Sequence, residues 1–169
     1  MTTRRVGIWF IGAFGGVAGT AALGLAALAR GLTDTTGLVT GLPLFHTIPL
    51  DPFDAFVIGG HDIRRSSMVD SVRDLHVRAN VFNENTIAAC RQELESWSAN
   101  VRPGTVESAG PTITALADFA DAKKPETARQ AIQRFQNDLR EFRERNSLDQ
   151  VVVINVASTE PPFELTESH

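Results

Sequence analysis

Apolar positions along this chain follow two patterns, and each predicts a different kind of element. Three short stretches are apolar at successive positions: Val6-Gly7-Ile8-Trp9-Phe10-Ile11, Ala55-Phe56-Val57-Ile58-Gly59 and Val151-Val152-Val153-Ile154. Strands with no polar face are those covered on both sides, as in parallel sheets, so the three read as buried strands of one sheet. Elsewhere apolar residues recur at steps of three and four. From Pro125, a favourable first helical residue, Ala128, Ile132, Phe135, Leu139 and Phe142 form a stripe, with Arg, Gln, Glu and Asp on the other faces. Ile87, Cys90, Leu94 and Trp97 make a second stripe between residues 85 and 97, and Met68, Val69, Val72 and Leu75 a third between 66 and 79. Alternating strands and helices predict an α/β fold, a mostly parallel sheet with helices on both faces. Residues 31–54, rich in Gly, Thr and Pro, carry little periodicity, and Pro103-Gly104 and Gly110-Pro111 mark breaks.

The N-terminus admits two readings. Arg4-Arg5 precedes an uncharged run, Val6 to Ala29, that ends in Ala27-Leu28-Ala29, as an export signal or membrane anchor would. Four of its six glycines, however, crowd into Gly12 to Gly19, which divides the run into a short strand, a glycine turn and an alanine–leucine helix to Arg30. Strand, glycine turn, helix is the opening of a Rossmann-like dinucleotide-binding fold, and that reading is preferred. The strict G-x-G-x-x-G is absent, because Phe14 stands three residues before Val17, where its first glycine belongs.

Composition narrows the picture further. A chain of 169 residues with 43% apolar content buries one sizeable core, so residues 1–169 are expected to form a single domain. A net charge of -4 without a basic stripe argues against nucleic acid. The one cysteine, Cys90, lies on an apolar helical stripe, as a buried inert thiol in a reducing, cytoplasmic compartment would. His46, His61, His76 and His169 lack the spacing that puts two imidazoles on one helix face, and no metal is expected.

In open parallel sheets ligands collect beyond the carboxyl ends of the strands. After the first strand comes Gly12-Ala13-Phe14-Gly15-Gly16-Val17-Ala18-Gly19, where glycines admit a ligand to the backbone and the next helix offers free N–H groups to a pyrophosphate. After the second comes Gly59-Gly60-His61-Asp62, which sets a carboxylate where it can accept hydrogen bonds from ribose hydroxyls. After the third come Asn155-Val156-Ala157-Ser158-Thr159, small residues suited to the nicotinamide side of a cleft. Each has a plainer reading. The glycines can serve packing, Asp62 can cap the following helix, Ser158 and Thr159 can be turn residues, and His61 can be a polar neighbour of the site.

At these residues the chain resembles the inositol-3-phosphate synthases, also called myo-inositol-1-phosphate synthases. The glycine turn, the segment Asp54 to Ile63, and the stretch from Phe135 through Glu144-Arg145-Asn146-Ser147-Leu148-Asp149 to Glu160 fall in that family's order. The resemblance implies NAD as cofactor. It implies a pyrophosphate loop, an acid on the ribose and an Ala-x-Thr-Glu-like turn against NAD, hence roles for Gly15, Gly16, Gly19, Asp62, Ala157, Ser158 and Thr159. Gly12, Phe14 and Val17 complete the expected cofactor set. It also implies the family's reaction, in which glucose 6-phosphate is oxidised at C5, closed by an intramolecular aldol step and reduced again, supplying inositol and phospholipid synthesis. Such chemistry needs cationic groups, and this chain has only Lys123 and Lys124, adjacent in a polar stretch. The family's catalytic lysines and assembly sheet lie in a later region. The chain is therefore expected to be an incomplete Rossmann-like domain with its catalytic residues unidentified, joined to a homo-oligomer or a complementary chain. A stand-alone or vestigial NAD-binding module is the alternative, and a membrane-anchored or secreted protein the third.

Overall fold

A computed structural model describes residues 4–157, and their architecture is α/β. Four parallel strands, β1 (Val6–Ile11), β2 (Phe56–Asp62), β3 (Val101–Pro103) and β4 (Gln150–Asn155), lie in the order β3-β2-β1-β4. Helix α1 (Gly16–Ala29) follows β1. Between β2 and β3 come α2 (Met68–Ala79), α3 (Glu84–Ala89) and α4 (Arg91–Ser98). Between β3 and β4 come α5 (Pro111–Leu116) and α6 (Ala128–Arg145). Residues 31–54 hold only short 3-10 turns.

Two cores flank the sheet because β1 is apolar at every position. Phe10 and Ile58 face the side of α1, α2 and α4, where Ala18, Ala22, Val72, Leu94 and Trp97 close the larger core. Trp9 points the other way, onto Phe142 of α6 and Leu148. The long apolar run at the N-terminus is thus a strand, a turn and a fourteen-residue helix, and among the described residues no helix is long and apolar enough to cross a membrane.

Several expectations from sequence need correction. The second strand does not stop at Gly59 but runs to Asp62, so Gly59-Gly60-His61-Asp62 are strand residues paired along β1. Close backbone approach explains this: a Cβ at Gly60 would strike the Phe10 carbonyl oxygen and lie 2.7 Å from the Ala13 Cβ. The stripe from Ile87 to Trp97 spans two helices, because the chain breaks at Cys90 (φ -93°, ψ 7°), and all four residues remain buried. Helix α6 starts at Ala128 rather than Pro125, set by a capping box in which Thr127 and Gln130 satisfy each other's backbone N–H. Its first turns consequently expose Ala128 and Ile132 and bury Ala131 instead. Strand β4, read as covered on both faces, is exposed along most of its length. Strand β3 and helix α5 had no sequence signal beyond the breaks beside them.

Candidate functional site

The carboxyl ends of β1, β2 and β4 are adjacent. They meet where the sheet's connections reverse direction, since β1 has β2 on one side and β4 on the other. Such a switch point opens a crevice for a ligand in parallel α/β sheets.

Gly12 makes the turn out of β1. Its φ of +89° is costly for any side chain, and its N–H donates to the carbonyl of His61 at 2.9 Å. A Cβ at Gly12 would lie 2.9 Å from the Ala157 Cα, so the segment after β4 rests directly on the glycine loop. Val156 N–H donating to the Ile11 carbonyl (3.0 Å) and Ala157 N–H donating to Asn155 Oδ1 (3.1 Å) fix that segment. Ser158 and Thr159 lie outside the described residues.

Helix α1 begins immediately after the turn, with Gly15 as its N-cap. No side chain caps it and no acid occupies its first turn. Its first N–H groups therefore keep their positive end for an anion. Gly16 and Val17 are exposed at this end, Val17 to 64%. Gly19, one turn further, is buried against Val72 of α2. Phe14 contributes backbone only, for its ring lies in the larger core.

Asp62 holds the loop in this shape. It is only 6% exposed, and its two oxygens accept from Phe14 N–H (2.7 Å) and Arg64 N–H (2.9 Å). The Phe14 carbonyl in turn accepts from the Arg64 guanidinium (2.5 Å) and the Ser71 hydroxyl (3.0 Å). The next helix is capped by Ser67, whose hydroxyl oxygen accepts from Asp70 N–H, so Asp62 is not its cap. Asp62 Oδ1 also lies 3.6 Å from Arg64 Nε, and a carboxylate oxygen has capacity for more than one hydrogen bond.

His61 has a different role. It is buried on the α6 side of the sheet, where Trp9 Nε1–H donates to its Nδ1 at 3.0 Å. That bond leaves the ring proton on Nε2, which faces Asp138 Oδ2 of α6 at 2.9 Å. Phe135 stacks on the ring at 4.0 Å between centroids. Burial lowers the His61 pKa, opposed by Asp138 and assisted by Arg134 and Arg102, so the neutral form is favoured. Nearby, Arg134 donates to the carbonyls of Pro103 (2.6 Å) and Gly104 (3.0 Å) and holds Glu126 below the usual carboxylate range. Asp138, Arg134, Glu126 and Lys124 line an open cleft of about 500 Å³ beyond β3. Lys124 is paired with exposed Asp121 at 2.5 Å, and Lys123 is exposed. Sequence reasoning found neither Trp9 nor Asp138 as partners of His61; the alternation of β2, once extended to Asp62, is the one signal that turns His61 toward α6.

Comparison with known proteins agrees with the geometry. The family described as myo-inositol-1-phosphate synthase, represented by its NAD-binding domain, matches residues 6–169. Inositol-3-phosphate synthase 1 of Bacteroides thetaiotaomicron is 26% identical over 178 residues, an alignment covering 99% of this chain and 39% of the relative. The chain thus spans about two fifths of the length of that relative. In fold it is similar to inositol-3-phosphate synthase from Caenorhabditis elegans (TM-score 0.71, 16% identity, 99% of this chain and 37% of that one). It is also similar to a myo-inositol-1-phosphate synthase-related protein from Thermotoga maritima (TM-score 0.55, 20% identity, 95% and 37%).

Proposed function

The chain belongs to the myo-inositol-1-phosphate synthase family, with NAD as its cofactor, and on that premise we propose that it is the cofactor-binding portion of an enzyme converting glucose 6-phosphate to myo-inositol 3-phosphate. The observation that carries this reading is the uncapped start of α1 behind the Gly12 turn. The amides of Gly16 and Val17 receive the pyrophosphate there, and Gly15 lets it approach. Asp62 orients the loop through Phe14 and accepts from the adenine ribose, while Ala157 and the following Ser158 and Thr159 border the nicotinamide side. Bound NAD supplies a hydride acceptor and, later in the cycle, a hydride donor. His61, neutral and enclosed by Trp9, Phe135 and Asp138, positions β2 against α6 and moves no proton.

The groups that hold the sugar phosphate and stabilise an enolate come from the remainder of the family's length, in this reading. Support comes from the lysines, since Lys124 is tied to Asp121 and Lys123 is exposed. The unit is a single domain in a cytoplasmic setting, consistent with one buried thiol, Cys90, whose pKa burial raises. Supplying the purified chain with glucose 6-phosphate and NAD tests the division of labour. Binding of NAD without inositol phosphate is the expected result. Inositol phosphate formed by this chain alone would contradict it, and no NAD binding would leave a module that has lost its cofactor.

A further inference from the structure

The corner that follows β2 pairs an inward acid with an outward cation. Asp62 is nearly buried, with Oδ2 accepting from Phe14 N–H (2.7 Å) and Oδ1 from Arg64 N–H (2.9 Å). Beside it the Arg64 side chain is 47% exposed, its Nε 3.6 Å from Asp62 Oδ1. Arg64 Nη2 donates to the Phe14 carbonyl (2.5 Å), which also accepts from the Ser71 hydroxyl (3.0 Å). That bond engages one N–H of the guanidinium and anchors the rest of its planar fork of donors at the rim. Arg65 follows, with its Cζ 5.8 Å from the centre of the Phe119 ring and its backbone N–H donating to Asp118. The acids of this corner thus accept from backbone amides, Asp62 from Phe14 and Arg64, and Asp118 from Arg65.

We infer that Arg64 makes this corner an acceptor of a ribose 2′-phosphate, so that the chain binds NADP as well as NAD. The inference rests on the cofactor reading above and concerns the adenosine end of that same site. A dinucleotide fold selective for NAD sets a carboxylate against the ribose 2′-hydroxyl, whereas one that takes NADP sets an arginine there. This corner has both groups, in an arrangement that favours the second. Asp62 is turned inward and compensated by two amides and a guanidinium, while Arg64 is open to solvent and already anchored. A phosphate beside Arg64 gains charge-assisted bonds that a neutral hydroxyl makes only more weakly. Asp62 still accepts from the neighbouring hydroxyl, so NAD keeps its site. Arg65, held over Phe119, adds a second positive charge on the same segment.

The test is the pair of dissociation constants for NAD and NADP, measured by calorimetry on the purified chain in wild type, Arg64→Leu and Arg64→Lys. NADP should bind wild type within about tenfold of NAD, and Arg64→Leu should weaken NADP by about tenfold or more while changing NAD by less than about threefold. Arg64→Lys, which keeps the charge, should recover part of the NADP affinity. Added salt should weaken NADP more than NAD in wild type, and Arg64→Leu should narrow that difference. The unliganded thermal midpoint of Arg64→Leu should stay near wild type, because Ser71 still donates to the Phe14 carbonyl. The wild-type ratio of the two constants needs no variant to fold. NAD binding without NADP binding, or equal losses of both ligands in Arg64→Leu, would overturn the inference and leave the cofactor reading standing. Binding of neither dinucleotide would overturn both.

Discussion

Strands β2 and β4 carry the same mark in the sequence, apolar residues at successive positions, yet the structure treats them differently. Strand β2 lies between β1 and β3, with Ile58 buried at 1% exposure on one face and Gly59 on the other, where an added Cβ would lie 2.9 Å from both Trp9 and Phe142. Among the described residues, strand β4 has β1 on one side only and leaves three apolar side chains more than a third exposed. The difference teaches that an apolar run marks a strand but not its place in the sheet, which decides how much of it the described residues cover. The β2 end is also where the proposed site is complete in its supports, since Asp62, Arg64 and Ser71 converge on the backbone of Phe14.

Substitutions can break this contrast. Phe142→Ala removes the ring that closes the smaller core over Trp9, and it should cost about 4 kcal/mol in urea unfolding. Gly60→Ala forces a methyl against the Phe10 carbonyl and Ala13, and should cost about 3 kcal/mol although it adds only one carbon. A cost near zero would mean that the β1–β2 backbone contact is loose. At β4, by comparison, Val152→Thr should change stability by no more than about 0.5 kcal/mol, because the side chain is 40% exposed. Equal losses at β2 and β4 would remove the contrast.

Between these extremes lies a pH effect from His61. Burial depresses its folded-state pKa below that of the unfolded chain, so the unfolded state binds more protons as the pH falls through the ordinary histidine range. Stability conferred by neutral His61 is thus fully present above about pH 6.5 and declines from there down toward the folded pKa. Urea midpoints between pH 7.5 and 5.5 should fall in wild type and show a flatter profile in His61→Gln. A wild-type profile without slope would mean that His61 titrates normally and is not sealed by α6.

How much of this was legible in the sequence follows from the range of each interaction. Strand β1, the turn at Gly12 and the stripes of α2 and α4 are local periodicities, and a reader of the sequence recovers them. Placing Asp62 beside the glycine loop was also possible, because both sit at carboxyl ends of strands in one parallel sheet. The Trp9–His61–Asp138 chain was not, since its bonds join residues 52 and 77 positions apart and no local pattern encodes them. Strand β3 is three residues long and ends at Pro103, too short for a period, and the apolar run of β4 does not say that it lies at a sheet edge among the described residues. At Phe14 the loop pattern shows the position but not the division of its parts, since its amide and carbonyl bond to Asp62, Arg64 and Ser71 while its ring serves the core.

The most direct test of the central claim is the thermal unfolding midpoint with and without millimolar NAD, in wild type and in Gly16→Asp. Gly16 is exposed at the first turn of α1, a Cβ there has room 3.7 Å from Leu75, and an acid at a helix start favours the helix dipole. The variant should fold at least as stably as wild type while setting a negative charge where the pyrophosphate belongs. Ligand that binds only the folded state raises the midpoint by linkage. The account predicts an upward shift with NAD in wild type and none in Gly16→Asp. An equal shift in both, or none in wild type, would contradict it.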